Sequence, residues 1–217
     1  MPASDLSGER VDYVGDHLLE SAVPAEPYAL FRRWLDEAFA ARDRGELAEP
    51  TAMVVATCVD ARPRARTVLL KELTPEGFTF FTNYNSAKGV ELSADPAVAL
   101  HFGWHAIQRQ VRVEGAAERV TRAESEAYFA TRPRGSQLGA WASAQSSSVG
   151  SLTDLQQAYA AAEERFAAQD VPCPAHWGGY LVRPAEIEFW QGQPSRMHDR
   201  LRYRLVDDAW TITRLAP

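Results

Sequence analysis

The segment at residues 187–200 concentrates side chains that could hold an anionic, aromatic ligand and act on it. It reads Ile-Glu-Phe-Trp-Gln-Gly-Gln-Pro-Ser-Arg-Met-His-Asp-Arg. If the segment is extended, alternate residues share one face, so Arg196, His198 and Arg200 would form a cationic wall. Trp190 stands beside this row, and an aromatic ring next to cations is a natural stacking site for another ring. A solvated edge strand has the same pattern, so the spacing alone leaves both interpretations open.

A second set of candidates lies on a strand predicted at residues 64–70. Side-chain alternation divides this stretch between two faces, with Arg64, Arg66, Val68 and Leu70 on one and Thr67, Leu69 and Lys71 on the other. Arg66 and Lys71 therefore face different surroundings. Either both are solvated cations near strand ends, or each binds a different phosphate group.

Three hydrogen-bond donors are spaced four residues apart across a predicted helix end: Tyr128, Arg132 and Ser136. A phenol, a guanidinium and a hydroxyl together suit a phosphate monoester, although an arginine at a helix end is more often solvated. Farther along, Gln145 and Ser146 lie in a polar segment that contains Trp141 and is predicted to be poor in helix. Their side chains either contact a ligand or satisfy a turn.

The elements expected to position these residues are mainly β-strands. Short runs rich in β-branched and aromatic residues predict five strands, at residues 51–59, 64–70, 77–83, 97–104 and 110–120. Connections this short cannot hold the crossover helices of a parallel sheet, so we expect antiparallel pairing in a meander or Greek-key barrel. Four further strands are predicted at residues 179–182, 186–190, 201–206 and 210–214.

Helical periodicity predicts α-helices that flank this β-barrel core. One helix is predicted over residues 26–41 and a second over residues 121–131, where Arg132-Pro133 interrupts the pattern. A third is capped by Ser151 and has a predicted apolar face made of Leu152, Leu155, Tyr159, Ala162 and Phe166. Residues 1–25 show no clear period, so we expect a flexible N-terminal arm followed by a single domain at residues 26–217.

Composition restricts the class of protein. The chain has 217 residues, of which 46% are hydrophobic and 24% charged, the balance of a globular protein with a sizeable core. Its formal net charge of −6 argues against nucleic-acid binding, and no run approaches the roughly 18 apolar residues of a membrane-spanning helix. Cys58 and Cys173 belong to no metal-ligand pattern. We therefore expect a cytoplasmic protein without a metal site.

Together these motifs resemble the pyridoxamine 5′-phosphate oxidase family. The family's C-terminal signature is an aliphatic residue, Glu, an aromatic residue and Trp, a short spacer, then Arg, an aliphatic residue, His, an acidic residue and Arg. Residues 187–200 match every position. The resemblance runs from around Tyr28 to Pro217 and includes Arg-Thr-Val-Leu-Leu-Lys at residues 66–71, Phe-Thr-Asn at 81–83, Arg-Pro-Arg at 132–134 and Arg-Leu-Ala-Pro at 214–217.

This resemblance implies a fold, a cofactor and a reaction. The fold is mainly β with flanking helices, an antiparallel split β-barrel that forms a homodimer with FMN at each of two subunit interfaces. The reaction is the oxidation of pyridoxamine or pyridoxine 5′-phosphate to pyridoxal 5′-phosphate, with O2 as acceptor and H2O2 as product. A hydride leaves the C4′ carbon of the substrate for the flavin, and the protein holds the two together.

The resemblance also assigns roles by matching position. Residues implied around FMN are Arg66, Lys88, Gln145 and Ser146 near its phosphate, Thr67, Val68, Leu69, Leu70, Lys71, Phe81, Thr82 and Gln110 along the flavin, and Trp190 and Arg200 from the partner chain. Residues implied at the substrate phosphate are Lys71, Tyr128, Arg132 and Ser136. Arg196 and His198 lie beside the pyridine ring, with Arg196 the first candidate for catalytic assistance at C4′ and His198 the second. Arg10 and Tyr13 partly match an N-terminal arm that covers the active site in relatives.

Two departures from the family pattern concern FMN and a hairpin. Ala87 stands beside Lys88 where many relatives have arginine, which implies one phosphate contact fewer. The connection at residues 60–63 is shorter than usual, so the strand register before Arg66 is less certain.

Two alternatives remain beside the oxidase interpretation. The first is an FMN oxidase of the same superfamily with another substrate, of the phenazine-pathway type, which the intact phosphate-binding set disfavours. The second is a split-barrel protein that binds FMN or pyridoxal phosphate without turnover.

Overall fold

The computed structural model describes residue 8 and residues 12–217, so Arg10 lies outside the described residues. The chain divides into two compact units. Unit 1 comprises the residues up to Thr51 together with His101–Val113 and Ala185–Pro217, and unit 2 comprises Ala52–Leu100 and Glu114–Pro184.

Five α-helices are present in the described chain: α1 (Pro27–Asp43), α2 (Ala87–Ala94), α3 (Arg122–Thr131), α4 (Arg134–Ala142) and α5 (Leu152–Arg165). The starts of three follow from local chemistry. Proline occupies the first turn of α1, where its missing N–H costs nothing. Thr121 and Glu124 form a capping box at α3, and the Ser151 side chain accepts a hydrogen bond from the Asp154 N–H at α5. The three predicted helices are thus confirmed.

Nine strands are present in the described chain: β1 (Ala52–Val59), β2 (Arg62–Leu69), β3 (Glu72–Thr74), β4 (Gly77–Asn83), β5 (Ala97–Trp104), β6 (Arg109–Arg119), β7 (Trp177–Gln191), β8 (Asp199–Val206) and β9 (Ala209–Arg214). They follow the order β2-β1-β5-β6-β7-β4-β3, and β8 pairs with β7 and β9. The predicted antiparallel pairing is confirmed for β1 with β2, β4 with β3 and β7, and β8 with β7 and β9.

The short hairpin of unit 2 has a defined register. Val59 pairs with Arg62, which leaves Asp60 and Ala61 as a two-residue turn with φ angles of 50° and 57°. Positive φ at both positions is the conformation that matches the twist of a two-residue hairpin. Val55 consequently pairs with Arg66 across the hairpin.

The core of unit 1 is built on α1 and its neighbours. The Phe31 ring lies 4.9 Å from that of Phe102, and Trp34 meets Phe189 edge to face at 5.2 Å. Within residues 12–25, the part of the predicted arm that the structure describes without a gap, the Leu18 N–H donates to Asp199. This part of the chain therefore makes specific contacts.

Four predictions about secondary structure are wrong. Residues 84–96, for which no helix was predicted, contain α2, and α4 covers Trp141 in a region expected to be poor in helix. Pro133 follows the end of α3 and is also the N-cap of α4, so the predicted break is a short junction between two helices. The two strands predicted at residues 179–190 form one strand, β7, because the missing N–H of Pro184 removes only one ladder bond.

The fourth wrong prediction concerns the apolar face of α5. Leu152 is 70% exposed and Leu155 is 40% exposed, whereas Ala162 and Phe166 are buried. Helical spacing identifies which residues share a face, but only the last two turns of this face have a core to pack against.

Candidate functional site

A cavity of about 460 Å³ in unit 2 gathers many of the predicted residues. Eleven of them line it: Thr67, Val68, Leu69, Lys71, Phe81, Thr82, Lys88, Tyr128, Arg132, Ser136 and Gln145. The ends of β2 and β4 and helices α2, α3 and α4 present eight of these side chains, and Lys71, Arg132 and Gln145 lie just outside these elements. Five lining residues were not predicted: Asn83, Gly139, Ala140, Ser143 and Trp177.

The charge of this cavity is of one sign. Lys71, Lys88 and Arg132 line it, and the described residues of its lining include neither aspartate nor glutamate. A cleft lined by one sign of charge concentrates ligands of the opposite sign, even in a protein whose net charge is negative. The cavity is therefore suited to an anionic ligand.

Lys88 is the buried cation of the cavity. It is 8% exposed, and its Nζ donates to Thr82 Oγ1 at 3.2 Å and to Gln145 Oε1 at 3.0 Å. Burial lowers the pKa of Lys88, and nearby Arg66 lowers it further. Both acceptors are neutral, so a ligand anion would supply the countercharge that they do not.

Arg132 lies at the junction of α3 and α4. Because Pro133 follows, Arg132 adopts an extended backbone, with ψ of 146°, and leaves the helix axis. Its guanidinium carbon lies 4.6 Å from the centre of the Trp177 ring, and its Nη1 is buried without a hydrogen-bond partner in the described part of the chain. An unpaired buried donor costs about 1–3 kcal/mol, which an anion in the cavity would recover.

Aromatic rings form one wall of the cavity. The rings of Phe81 and Tyr128 are stacked at 3.9 Å with 16° between their planes, and the Trp177 ring is within 12° of parallel to both. Burial raises the pKa of Tyr128, so its hydroxyl stays neutral and able to donate. Ser136 is an exposed residue in the first turn of α4 and adds a second hydroxyl.

Arg66 lies outside the lining of this cavity and is held by a carboxylate. Its Nη2 donates to Glu91 Oε2 at 2.5 Å and its Nη1 to Thr57 Oγ1 at 2.7 Å, while Arg64 donates to Glu91 Oε1. Burial by itself would raise the pKa of Glu91, but the hydrogen bonds from Thr57 and the two arginines together lower it. The predicted difference in surroundings between Arg66 and Lys71 is confirmed.

Two other residues predicted near FMN also lie outside this lining. Leu70 is buried. Ser146 has a positive φ of 72° and lines a separate cavity of about 370 Å³ in unit 2, with Arg64, Ala87 and Gln145 among its other residues.

A second cluster of predicted residues belongs to unit 1. The rings of Trp190 and His198 lie 4.5 Å apart, and Tyr13 meets them edge to face at 5.8 and 5.4 Å. The Gln193 N–H donates to His198 Nδ1 at 3.1 Å, so the neutral imidazole carries its proton on Nε2. Burial and the charge of Arg196 lower the pKa of His198, which keeps the ring neutral at pH 7.

The prediction that Arg196, His198 and Arg200 share one face of a strand is wrong. Pro194–Arg196 is a 3-10 turn, and β8 begins only at Asp199. Ser195 and Arg196 have φ angles of 57° and 60°, which reverses the chain and ends the alternation. Left-handed backbone at residues other than glycine costs of order 1–3 kcal/mol each and is concentrated at functional sites.

The remaining predicted residues of unit 1 have fixed partners. The Arg200 Nε donates to Glu188 Oε1 at 2.7 Å, and its Nη1 donates to the Ala216 carbonyl at 2.8 Å. Gln110 Oε1 lies 3.1 Å from His101 Nε2. Arg200 pairs with Trp190 across β7 and β8, so the two residues predicted to contact one flavin are neighbours in the sheet.

Trp177 is one of the five lining residues that sequence reasoning missed, and its ring lies against the Arg132 guanidinium. It opens β7 directly before the Gly-Gly-Tyr run from which a strand was predicted, and no spacing rule links it to Arg132. An aromatic residue at a strand end was the available signal.

Two further findings bear on the class of site. Among the described residues, no group of three or more His, Cys, Asp or Glu side chains is placed to hold a metal ion. No described helix has the length and apolar character needed to cross a membrane.

Comparison with known families gives two matches that cover most of the chain. Residues 39–166 match the family described as pyridoxamine 5′-phosphate oxidase. Residues 177–217 match the pyridoxine 5′-phosphate oxidase C-terminal dimerisation region. A curated relative, the pyridoxine/pyridoxamine 5′-phosphate oxidase of Pseudomonas paraeruginosa, is 50% identical over 213 residues, which are 98% of this chain and 98% of that protein.

Solved structures give the same fold. PhzG from Burkholderia lata, in complex with tetrahydrophenazine-1-carboxylic acid, is 29% identical with a TM-score of 0.86 and covers 93% of this chain and 98% of that one. A pyridoxamine 5′-phosphate oxidase-related, FMN binding protein from Nostoc punctiforme is 15% identical with a TM-score of 0.68, covering 86% and 97% of the two chains. The mainly antiparallel fold expected from the sequence is confirmed.

Proposed function

The chain belongs to the pyridoxamine 5′-phosphate oxidase family, and from this membership we propose that it oxidises pyridoxamine and pyridoxine 5′-phosphates to pyridoxal 5′-phosphate, with O2 as acceptor and H2O2 as product. The observation that carries the proposal is the cationic cavity of unit 2. Lys71, Tyr128, Arg132 and Ser136 surround its space with donors. A phosphate monoester satisfies them, since each charge-assisted hydrogen bond contributes about 1.5–3 kcal/mol.

The residues present fit FMN as the cofactor. Buried Lys88 has only neutral hydrogen-bond partners in the described chain, Thr82 and Gln145, so it has charge and donor capacity to offer an anionic group. Thr67, Val68 and Leu69 give the same cavity a wall at the end of β2. When bound, FMN supplies the redox chemistry by accepting a hydride from the substrate and passing electrons to O2.

The protein's part in the reaction is to orient the substrate and to assist the movement of charge and protons. Arg196 and His198 act beside C4′ of the substrate, where the exposed guanidinium of Arg196 orients the pyridine ring and its 4′ substituent for hydride transfer. The neutral ring of His198 offers its Nε2–H as a hydrogen-bond donor rather than acting as a base through that atom. Tyr13 covers the rings of Trp190 and His198.

The functional form is a homodimer, which the match of residues 177–217 to a dimerisation region supports. In this form Trp190 and Arg200 contact the flavin bound by the partner subunit. Arg200 is already oriented by Glu188, a residue that is 5% exposed.

Anaerobic reduction of bound flavin tests the proposal directly. The protein is loaded with FMN, and the loss of oxidised-flavin absorbance is followed after addition of pyridoxamine 5′-phosphate, pyridoxine 5′-phosphate or unphosphorylated pyridoxine. Both phosphates are expected to bleach the flavin, and admission of O2 should restore it with formation of peroxide. Unphosphorylated pyridoxine should react far more slowly, because it cannot use the cationic donors of the cavity.

Tetrahydrophenazine-1-carboxylic acid is the alternative substrate to test in the same assay, because the structure of PhzG from Burkholderia lata was solved in complex with it. Bleaching by this compound but by neither phosphate would contradict the proposal and support a phenazine substrate. A protein that binds FMN but is reduced by none of the compounds would be a binding protein.

A further inference from the structure

We propose that Trp177 is a positioning residue for the substrate phosphate: the face of its indole ring holds the Arg132 guanidinium so that the N–H donors remain free for the anion. The inference rests on the proposed function, in which Arg132 binds that phosphate. Trp177 acts through Arg132, and its removal should weaken the recognition of phosphate specifically.

The geometry around Arg132 is the first support. Its guanidinium carbon lies 4.6 Å from the centre of the Trp177 ring and 5.4 Å from that of Phe129. In the part of the chain that the structure describes, no carboxylate is among the groups that act on the Arg132 charge, and its buried Nη1 is unpaired. Aromatic faces are thus the contacts that orient this guanidinium.

An aromatic partner has a different consequence from a carboxylate. The five N–H donors of a guanidinium lie in its plane, whereas stacking uses the two faces of that plane. A carboxylate would orient the group but would occupy donors and neutralise charge, as Glu91 does for Arg66. Stacking on Trp177 orients Arg132 and leaves its donors and its charge available to a ligand.

The Trp177 ring is itself fixed. The residue is 6% exposed and pairs with Asn83 across β4 and β7. Its ring is within 12° of parallel to Phe81 at 5.5 Å and meets Phe129 edge to face at 5.0 Å. Because the ring cannot turn without disturbing these neighbours, Arg132 is held ready before the ligand arrives, which lowers the ordering cost of binding.

The chain offers a matched control for this contact. The Arg165 guanidinium carbon lies over the ring of Trp141 at the same distance, 4.6 Å. Trp141 packs against the same hydrophobic cluster as Trp177, but neither Trp141 nor Arg165 lines the cavity. Trp141→Leu therefore removes an equivalent contact and comparable core packing without touching Arg132.

The test compares two ligands in the FMN-loaded protein without turnover. The dissociation constants of pyridoxal 5′-phosphate and of pyridoxal, which lacks the phosphate, are measured by titration for each variant. Trp177→Leu is expected to weaken binding of the phosphate about tenfold and leave pyridoxal unchanged. Trp177→Phe keeps a weaker aromatic face, so its affinity for pyridoxal 5′-phosphate should fall roughly twofold to threefold. Trp141→Leu should leave the ratio of the two dissociation constants unchanged.

A double-mutant cycle separates positioning from packing. Arg132→Met alone should reduce the preference for the phosphate, and Trp177→Leu or Trp177→Phe should cause no further reduction in that background. The inference would be overturned if the two substitutions reduce the preference for the phosphate additively. It would also be overturned if Trp177→Phe leaves the ratio of the two dissociation constants unchanged, and this outcome can be measured even if Trp177→Leu does not fold. If the unsubstituted protein itself shows no preference for pyridoxal 5′-phosphate over pyridoxal, the proposed function has failed instead.

Discussion

Replacement of Lys88 by methionine is expected to weaken FMN binding while leaving the apoprotein as stable as before or more stable. Lys88 lies on α2, is 8% exposed and donates to two neutral oxygens, those of Thr82 and Gln145. Methionine is an unbranched side chain that adapts to the same space without the charge. The substitution therefore removes the cation and little of the packing.

The two effects have opposite signs because the charge has a different environment in each state. In the apoprotein a buried ammonium costs several kcal/mol of desolvation, and its two hydrogen bonds return about 1.5–3 kcal/mol each. The free energy of unfolding should thus change by between about zero and +2 kcal/mol. With FMN bound, loss of one charge-assisted bond of about 1.5–3 kcal/mol raises the dissociation constant roughly 10-fold to 100-fold.

Urea denaturation of the apoprotein and titration of flavin fluorescence measure these two quantities. Lys71→Met is the matched control, since Lys71 is an exposed lysine that lines the same cavity. It should change FMN affinity less than about threefold, because an exposed charge is screened by solvent. If Lys88→Met destabilises the apoprotein by more than about 2 kcal/mol, or leaves FMN affinity unchanged, the reasoning about its burial is refuted.

The same burial predicts a pH dependence. The pKa of Lys88 is lowered from 10.5 in the folded state, so between the lowered value and 10.5 the unfolded chain holds more protons. The contribution of Lys88 to stability therefore rises with pH across this window, as loss of the proton removes the desolvation cost. FMN affinity should fall over the same window as the cation disappears. Both trends should be absent in Lys88→Met.

Three further outcomes are expected. Arg196→Met should keep FMN but lose most of its turnover, measured as peroxide production, and unchanged oxidation would show that Arg196 does not assist the reaction. Lys71→Ala should raise KM for pyridoxine 5′-phosphate more than it lowers kcat, since it removes a ground-state phosphate contact; a kcat effect alone would contradict that role. Ala61→Gly should stabilise the protein by about 0.5–1 kcal/mol, because Ala61 has a φ of 57° in the β1–β2 turn, and a melting temperature that does not rise would show that the turn is unstrained.

Elements with strong local signals were predictable from the sequence. The bounds predicted for β4 and β5 agree with the structure residue for residue. β4 is a run of Phe and Thr, and in β5 the larger apolar residues alternate along the strand and are buried. Helices α2 and α4 lack such a signal. The α4 sequence contains two glycines and directly follows Pro133, so its local propensity favours a turn, and packing of Leu138 in the core of unit 2 stabilises it as a helix.

The candidate site was predictable where its residues are close in sequence. Tyr128, Arg132 and Ser136 line one cavity although the break at Pro133 places them on two helices, α3 and α4, and the junction between them. The break is short, since α4 begins at Arg134, so the three residues stay close together. The long-range partners were not predictable. The pairing of Arg132 with Trp177, and of Arg66 with Glu91, joins a strand to a residue on or next to a helix far away in sequence. No periodicity in a single sequence encodes such a pairing.

Pairing with a carboxylate does not by itself exclude an arginine of this acidic chain from ligand binding. Arg66 is paired with Glu91, and the resemblance assigns it to the FMN phosphate. Its Nη1 donates to Thr57 Oγ1 and to the Val55 carbonyl, and its Nη2 donates to Glu91. Among the described residues these bonds leave the Nε–H and one Nη2–H unused, two adjacent donors that match two phosphate oxygens. Glu91 therefore holds Arg66 in place without consuming the edge that a phosphate would bind, as Trp177 does for Arg132 through the ring face.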